Sequence, residues 1–496
     1  MRWFQNHTLQ LVFVSGYLAV LAYHAWQGKR RSRSLDDFLV GGRKLGGVVI
    51  GLSFYATFVS SVTFVGHAGR SYTLGPAWWL TCVVVFTTMA TLAWFVVAPP
   101  FVKMARQYGA LTIPEFLGAR YGSSLIRRLA ALVVVAASLA YMTAVYKGAA
   151  LLLGSLLDLD DLPGIVLAVI FVVVTAYTLT GGFYSVVATD AVQGLILFGG
   201  GIMLPIAMIL RKGGLGPLLD SVHTAQPEAL GFSSEMPFMT MFGLALGVGL
   251  KFIVEPRQLS RFYGLSSDEQ LSRGRWIAPT FLFLTYLCML PVGFLAHGFV
   301  SSAQPFLDAS REIDTDKVVP YLLGSSSNLL GPVAGAFFLT GLVAAAMSSI
   351  DSVLLVAASS VDHDLIDPHR EGQTAMRLTR VWILLLSLVA AGLSLVPGQG
   401  IVEMSAFSGS MYAACFLPTL VVGLFWRRAT AAGATTAIIV GFVVTPCWRF
   451  SKHAAFDGTF EKWHEVYVGI AASMLVYLAV SLMTVPETPG PQTAND

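Results

Sequence analysis

Apolar runs of roughly 18 residues or more, each long enough to cross a bilayer as a helix, recur along the whole chain. They begin near Leu9, Leu45, Pro76, Leu125, Pro163, Ser185, Met236, Trp276, Gly331, Val381, Ile401, Ala431 and Val466. The pattern predicts an all-α polytopic membrane protein with about 13 transmembrane helices. Two runs are poor as plain helices. The second has a small and polar middle, Tyr55 to Thr63; the seventh carries Gly243, Gly247 and Gly249, then Lys251 and Glu255-Pro256. In transporters built from inverted repeats, segments weakened in this way occupy corresponding positions of the two halves. There they turn unwound backbone toward solute and ions.

The ninth run holds the stretch Gly341 to Ser352. On a helix, Ala345, Ser348, Ser349 and Ser352 share one face. Neighbouring hydroxyls at bilayer depth can ligate a hard cation through oxygen; the same small residues can also let two helices pack closely. Asp351 lies one turn beyond Ser348 on an adjoining face, and a carboxylate there is expensive unless it meets a cation, a partner or water. Its presence favours an ion site.

Composition agrees with the pattern. Of 496 residues 55% are hydrophobic and 12% charged, against about 25% charged in soluble chains; the mean hydropathy is +0.70. The partner this implies is a lipid bilayer, with no nucleic acid and no obligatory protein partner evident. The net charge of +3 matters less than where the basic residues lie. Lys29, Arg30, Arg31 and Arg33 follow the first run, and Lys103, Arg106, Arg120, Arg127 and Arg128 the third. Arg261, Arg273 and Arg275 follow the seventh, Arg370, Arg377 and Arg380 the ninth, and Arg427 and Arg428 the eleventh. These loops are predicted cytoplasmic, with the N-terminus outside and the C-terminus in the cytoplasm. Asp158, Asp160, Asp161 and the segment 302–328 then lie outside; Arg211 and Lys212 run against the rule. The first run lacks a basic region before it and is expected as a membrane helix, not a cleaved signal. Cys82, Cys288, Cys415 and Cys447 have no paired spacing and read as packing thiols.

Three motifs carry a family resemblance. Asp37 to Gly46 resembles an opening signature in the first cytoplasmic loop. Gly181-Gly182-Phe183, with Thr189-Asp190 and Gln193-Gly194, resembles a fifth-core-helix motif. Gly423-Leu424, Arg428, Gly433-Ala434, Ala437 and Gly441 match a late signature. From about Asp36 to Val443 the chain resembles the sodium/solute symporter family, whose members carry sugars, proline, pantothenate, iodide, monocarboxylates or sialic acid. The resemblance implies a leucine-transporter-like five-plus-five inverted repeat, over 45–210 and 236–425. A flanking helix over 8–27, two C-terminal helices over 431–485 and a short cytoplasmic tail, 486–496, complete the single transport domain.

The resemblance also implies Na+ as the coupling ion, one or two per cycle. For the first site it implies carbonyls of Ala56, Val59 and Ala345 and hydroxyls of Ser348 and Ser349. A second cation or proton site is expected at Asp190, Asp351 and Ser352, where Asp351 departs from a family serine. Two carboxylates there favour a cation, or one of them takes up a proton. The implied solute pocket draws Ser60, Thr63 and His67 from the first core helix and Tyr141, Val145 and Lys147 from the third. Lys251 and Glu255 come from the sixth, and Phe407, Ser408 and Tyr412 from the tenth; polar groups would orient the solute and aromatics wall it. Tyr141 stands where sialic-acid carriers have arginine, which argues against that substrate.

Lys251 is a cation inside a span. It either meets an anionic solute or pairs with Glu255 at i, i+4. Lys147 is long enough to snorkel outward, and His67 reads more readily as a packing or gate residue. The expected function is sodium-coupled import of a small organic solute, an organic anion/carboxylate or amino acid, by alternating access. The sparse loops place it in a bacterial inner membrane. Alternatives are a sodium-coupled sugar or polyol carrier, and a transporter-like sensor without net transport. A channel would need a ring-forming pore motif. An enzyme would need a nucleophile–base pair, a metal-spaced cluster or a phosphate cradle; the sequence offers none, so no enzymatic activity is expected.

Overall fold

A computed structural model of the chain describes residues 7–31, 34–159, 161–232, 236–300, 302–307, 311–324, 329–367, 372–396, 400–455 and 462–485. Arg33, Asp160, Arg370, parts of the 302–328 connection and the tail 486–496 lie outside the described residues. In hydrocarbon a backbone must satisfy its own N–H and C=O groups. Among the described residues it does so with helices, and two isolated bridges stand in place of any sheet. The principal helices are α1 (Thr8–Arg31), α2 (Gly47–Phe58), α3 (Ala68–Leu92), α4 (Ser124–Leu156), α5 (Pro163–Arg211), α6 (Phe238–Gly249) and α7 (Pro256–Tyr263). They continue with α8 (Ile277–Met289), α9 (Pro332–Ser359), α10 (Gly372–Leu393), α11 (Ile401–Phe416), α12 (Ala431–Ala455) and α13 (Glu465–Met483).

Among the described residues, eleven helical segments are long and apolar enough to cross a membrane; Gly47–Phe58 and Pro163–Leu179 are shorter apolar helices. Two glycine corners account for the difference from the apolar runs. Gly182 (φ 63°, ψ −175°) folds α5 into two passes, and Gly75 (φ 59°, ψ −154°) turns α3 just before Pro76. Positive φ with extended ψ is open essentially to glycine alone. With Gly47–Phe58 joined across its break to the segment ending at Gly75, and Pro163–Leu179 counted, the passes among the described residues number thirteen.

Both weakened segments are broken. α2 stops at Val59 (φ −75°, ψ 106°) and helix resumes through Val62–His67. Side chains repair the gap: Ser60 Oγ accepts from the Val62 N–H at 3.1 Å, and Thr63 Oγ1 from the Ser60 N–H at 3.4 Å. The second break is Glu255 (φ −76°, ψ 125°), between the turn Lys251–Val254 and α7. Pro256 causes it, because its ring bars the preceding residue from the helical region, and it sits at a helix start where no N–H is needed.

The core places these breaks side by side. α9 packs on α5, α4, α1 and α2, while α11 packs on α4 and α6. Where α6 crosses α11, a Cβ on Gly409 would lie 1.9 Å from the Gly247 carbonyl oxygen. Only glycine allows that approach, and it brings Lys251 against Ser405 one turn further on.

Candidate functional site

The end of α2 meets the small-residue face of α9. Ser348 Oγ donates to the carbonyls of Ala56 (3.1 Å) and Ala345 (3.2 Å), and Ser349 Oγ to the carbonyl of Thr57 (3.2 Å). All five residues are fully buried. The last carbonyls of a helix have no intrahelical donor and carry the negative end of its dipole. Two hydroxyls facing such carbonyls, with no carboxylate among them, form an oxygen set suited to a monovalent hard cation. Of the residues expected for the first site, Ala56, Ala345, Ser348 and Ser349 are brought together. Val59 follows at the break, where its ψ turns its carbonyl out of the helical direction. Thr57 supplies a carbonyl that the resemblance does not name.

The second expected site is organised differently. Asp190, Asp351 and Ser352 do gather, but the positive charge among them belongs to the chain. Arg261 Nη2 lies 3.0 Å from Asp190 Oδ2 and 3.0 Å from Thr57 Oγ1, and it donates to Ser352 Oγ. Asp190 Oδ2 also accepts from Ser53 (2.7 Å) and Thr57 (3.1 Å). Ser352 Oγ donates to Asp351 Oδ1 at 3.1 Å. Asp190 Oδ1 and Asp351 Oδ2 are buried without a hydrogen-bond partner among the described residues. Basic-residue counting puts Arg261 in a cytoplasmic loop; in the structure it is 1% exposed inside α7.

One residue past the α2 break a cavity opens, lined by Phe58, Ser60, Thr63, Tyr141, Lys251, Arg257 and neighbours. Its volume is about 10 Å³, room for about one water, so it is drawn closed around its own side chains. Lys251 Nζ donates to Ser405 Oγ (3.0 Å) and lies 4.0 Å from the centre of the Tyr141 ring. Arg257 lies 4.3 Å from the same ring, and its Nη2 is 3.0 Å from Glu255 Oε2. Glu255 therefore serves Arg257, and Lys251 is left to hydroxyl and aromatic neighbours. Tyr141 donates to Ser60 Oγ (3.2 Å), and Thr63 Oγ1 shares a hydrogen bond with Tyr286 (3.0 Å). His67 lies on the wall, stacked on Trp78, and the Val145 carbonyl accepts from Ser61 (2.9 Å).

The remaining expected pocket residues go elsewhere. Phe407 packs on Phe450 and Arg449 of α12. It lies two residues, and so more than half a turn of helix, from the pocket-facing Ser405. Ser408 Oγ donates to the Ala137 carbonyl (2.7 Å) and Tyr412 bonds Ser138 (2.8 Å), so both tie α11 to α4. Lys147 reaches Asp316 in the α8–α9 connection at 3.2 Å. Arg257, Ser405 and Tyr286 escape the sequence reading, and Arg261 enters it only as a loop residue. The signal for the two arginines is their i, i+4 spacing directly behind Glu255-Pro256.

Ionic contacts gather near both ends of α4. At one end Asp316 Oδ2 accepts from Lys147 and from the Ile401 N–H (3.1 Å) at the start of α11, and Arg70 meets Glu403 at 3.0 Å. At the other, Arg127 and Thr112 hold Asp364 (2.8 and 2.9 Å), and Tyr263 at the end of α7 donates to the Thr112 carbonyl (3.0 Å). Burial pushes the Asp316 carboxyl up to about 6, against the pull of Lys147 and with the help of Glu403 and Asp314. A carboxyl raised in the seated loop, and near 3.9 when exposed, stabilises the seated form below the exposed value. That contribution is lost as pH rises through about 6. Amide exchange across Val318–Leu323, corrected for its intrinsic pH dependence, is expected to quicken by up to about a hundredfold between about pH 4 and about pH 7. Asp316→Asn is expected to flatten the response.

A family model for the Sodium:solute symporter family matches residues 38–441. The chain belongs to the sodium:solute symporter family. Among curated relatives, this symporter is 28% identical over 479 residues to the high-affinity proline transporter PutP of Bacillus subtilis, covering 94% of this chain and 96% of that one. It is 26% identical to a sodium/proline symporter of Staphylococcus aureus, covering 95% and 92%. Among solved structures, a Na+-coupled sialic acid symporter in a substrate-bound outward-open state aligns with a TM-score of 0.79 at 18% identity, over 97% of this chain and 99% of that one. Mhp1, a nucleobase-cation-symport-1 family transporter in a closed conformation, aligns at 0.52 and 14% identity, over 90% and 95%. The fold of this sodium symporter is thus leucine-transporter-like, sodium is its coupling ion, and the protein is a multi-pass membrane protein.

Proposed function

We propose that the protein imports a small organic solute, an organic anion/carboxylate or amino acid, together with sodium by alternating access. The observation that carries this reading is the double use of one helix break. Ala56 and Thr57 present carbonyls to Ser348 and Ser349, and Ser60, just beyond, lines the cavity with Lys251 and Tyr141. An ion held at the end of α2 fixes the backbone that shapes the solute wall, so each ligand raises the affinity of the other equally. The ionic contacts near both ends of α4 suit a cycle in which they open in turn. In this reading Ala56, Val59, Thr57, Ala345, Ser348 and Ser349 serve the transported sodium. The position at Asp190, Asp351 and Ser352 is served by Arg261, and an external cation enters only where that guanidinium withdraws. No enzymatic step is assigned.

The same reading takes the two breaks as equivalent points of repeats spanning 45–210 and 236–425. It places the N-terminus outside and the C-terminus in the cytoplasm of a bacterial inner membrane, supported by the distribution of basic residues. In proteoliposomes, an inward sodium gradient is expected to drive accumulation of a labelled small carboxylate or amino acid, and an equal potassium gradient is not. Accumulation indifferent to the cation would sink the proposal.

A further inference from the structure

We infer that the solute is a small monoanion, a carboxylate carrying no charged nitrogen of its own, and that Arg257 and Lys251 together select it; this rests on the sodium-coupled uptake proposed above. The charged side chains on the cavity wall are Lys251 and Arg257, both cations. Glu255 is off that wall, and its Oε2 is taken by Arg257 Nη2. Two basic side chains and one carboxylate are therefore buried together, at 1%, 2% and 1% exposure. Buried charge is tolerated when it is paired, and the surplus positive charge here has no carboxylate of its own. Lys251 Nζ touches a serine hydroxyl and an aromatic face. Arg257 keeps Nε and Nη1 buried and without an acceptor among the described residues.

The rest of the wall agrees. Ser60, Thr63, Tyr141 and Tyr286 offer hydroxyls, and Phe58, Val62 and Val248 offer apolar cover. None of these is a carboxylate that could receive an ammonium. An amino-acid zwitterion would bring a second positive charge toward Lys251 and Arg257, and like charges at contact distance repel strongly in a dry site. A neutral sugar would use the hydroxyls but leave the surplus charge unpaired. A carboxylate satisfies the open donors of Arg257 and neutralises Lys251 in one contact. This sets the chain apart from the proline carriers it is similar to, whose named solute is a zwitterion.

Cyclopentanecarboxylate and L-proline share a five-membered ring and a carboxylate, and differ in the charged ring nitrogen. With the full chain, sodium-dependent thermal stabilisation and competition for uptake are measured for this pair, for propionate and pyruvate, and for D-glucose. The carboxylates are expected to bind at least about tenfold more tightly than L-proline. Lys251→Gln is expected to weaken them about ten- to hundredfold, and Lys251→Arg to retain most of the affinity. If Lys251→Gln does not fold, the paired solutes decide the matter on the native protein. L-proline or D-glucose binding as well as or better than the carboxylates in sodium overturns the inference and leaves sodium coupling standing. Binding and uptake that ignore replacement of sodium by potassium remove the proposed function itself, whichever solute binds.

Discussion

Arg261→Gln is expected to lose about 3–5 kcal/mol of stability in potassium, and to recover part of it as sodium is added, with a steeper response than the native protein. The guanidinium is the cation at the junction of α2, α5, α7 and α9. It contacts Asp190 at 3.0 Å and Thr57 Oγ1 at 3.0 Å, and it donates to Ser352. Removing one partner of a buried ion pair leaves the other charged and dry, which is where the large cost arises. Asp190 would still accept from Ser53 and Thr57, but nothing would neutralise it. The vacated space would be bounded by a carboxylate and three hydroxyls, those of Thr57, Ser53 and Ser352, with Asp351 beside them. That is a cation site in all but its ion. A ligand that binds only the folded form stabilises it in proportion to the logarithm of its concentration, so sodium should rescue the variant more than it stabilises the parent.

One double variant, read in two ways, separates this from general damage. Arg261→Gln combined with Asp190→Asn removes both charges, and the pair should be less destabilised than the sum of the single changes. The double variant should also lose the added sodium response. Melting temperatures at matched ionic strength in sodium and in potassium report both. Equal sodium responses in native, single and double variants would remove the idea that Arg261 stands in for a second cation.

How much of this is legible in the sequence depends on which force sets each feature. The spans are readable because hydrocarbon leaves a backbone few choices. The breaks are readable because glycine clusters and Glu255-Pro256 are local causes, as is the polar stretch around Ser60. The Ser348–Ser349 face is readable because helical periodicity alone puts two hydroxyls together. The corners at Gly75 and Gly182 are not: a glycine in an apolar run gives no sign of its φ, and Gly182 turns a hydrogen-bonded helix by nearly reversing its ψ. The rotation of α11 is hidden as well. Whether Ser405 or Phe407 faces the pocket is decided by the approach of Gly409 to Gly247, a contact between segments far apart in the chain. Arg261 is misplaced for a different reason, and Arg257 is passed over. Counting basic residues assigns a charge near the end of an apolar run to water, and here the run is broken, so both charges belong to a short buried helix. Glu255 and Asp190, their ionic partners, were visible as intramembrane carboxylates; the pairing was not.

Ser348→Ala with Ser349→Ala is expected to raise the sodium concentration for half-maximal transport by about thirtyfold to about a thousandfold, taking roughly 1–2 kcal/mol for each oxygen removed. The fold should survive, because alanine is smaller than serine and favours the helix. The orphaned carbonyls of Ala56 and Thr57, which now accept from those hydroxyls, would cost about 1–3 kcal/mol each. A reduced melting temperature by itself is therefore uninformative. The decisive reading is the loss of its sodium dependence. Coupling predicts a second signature: if sodium binding sharpens the solute site, losing sodium affinity must weaken solute binding at fixed sodium, and saturating sodium must restore it. Ser349→Thr keeps the hydroxyl and should keep the sodium response, which separates the oxygen from the small volume of serine. A double variant with unchanged half-saturation by sodium would mean that the α2–α9 contact only packs. The coupling ion would then have to be sought elsewhere, beginning with the orphaned oxygens of Asp190 and Asp351.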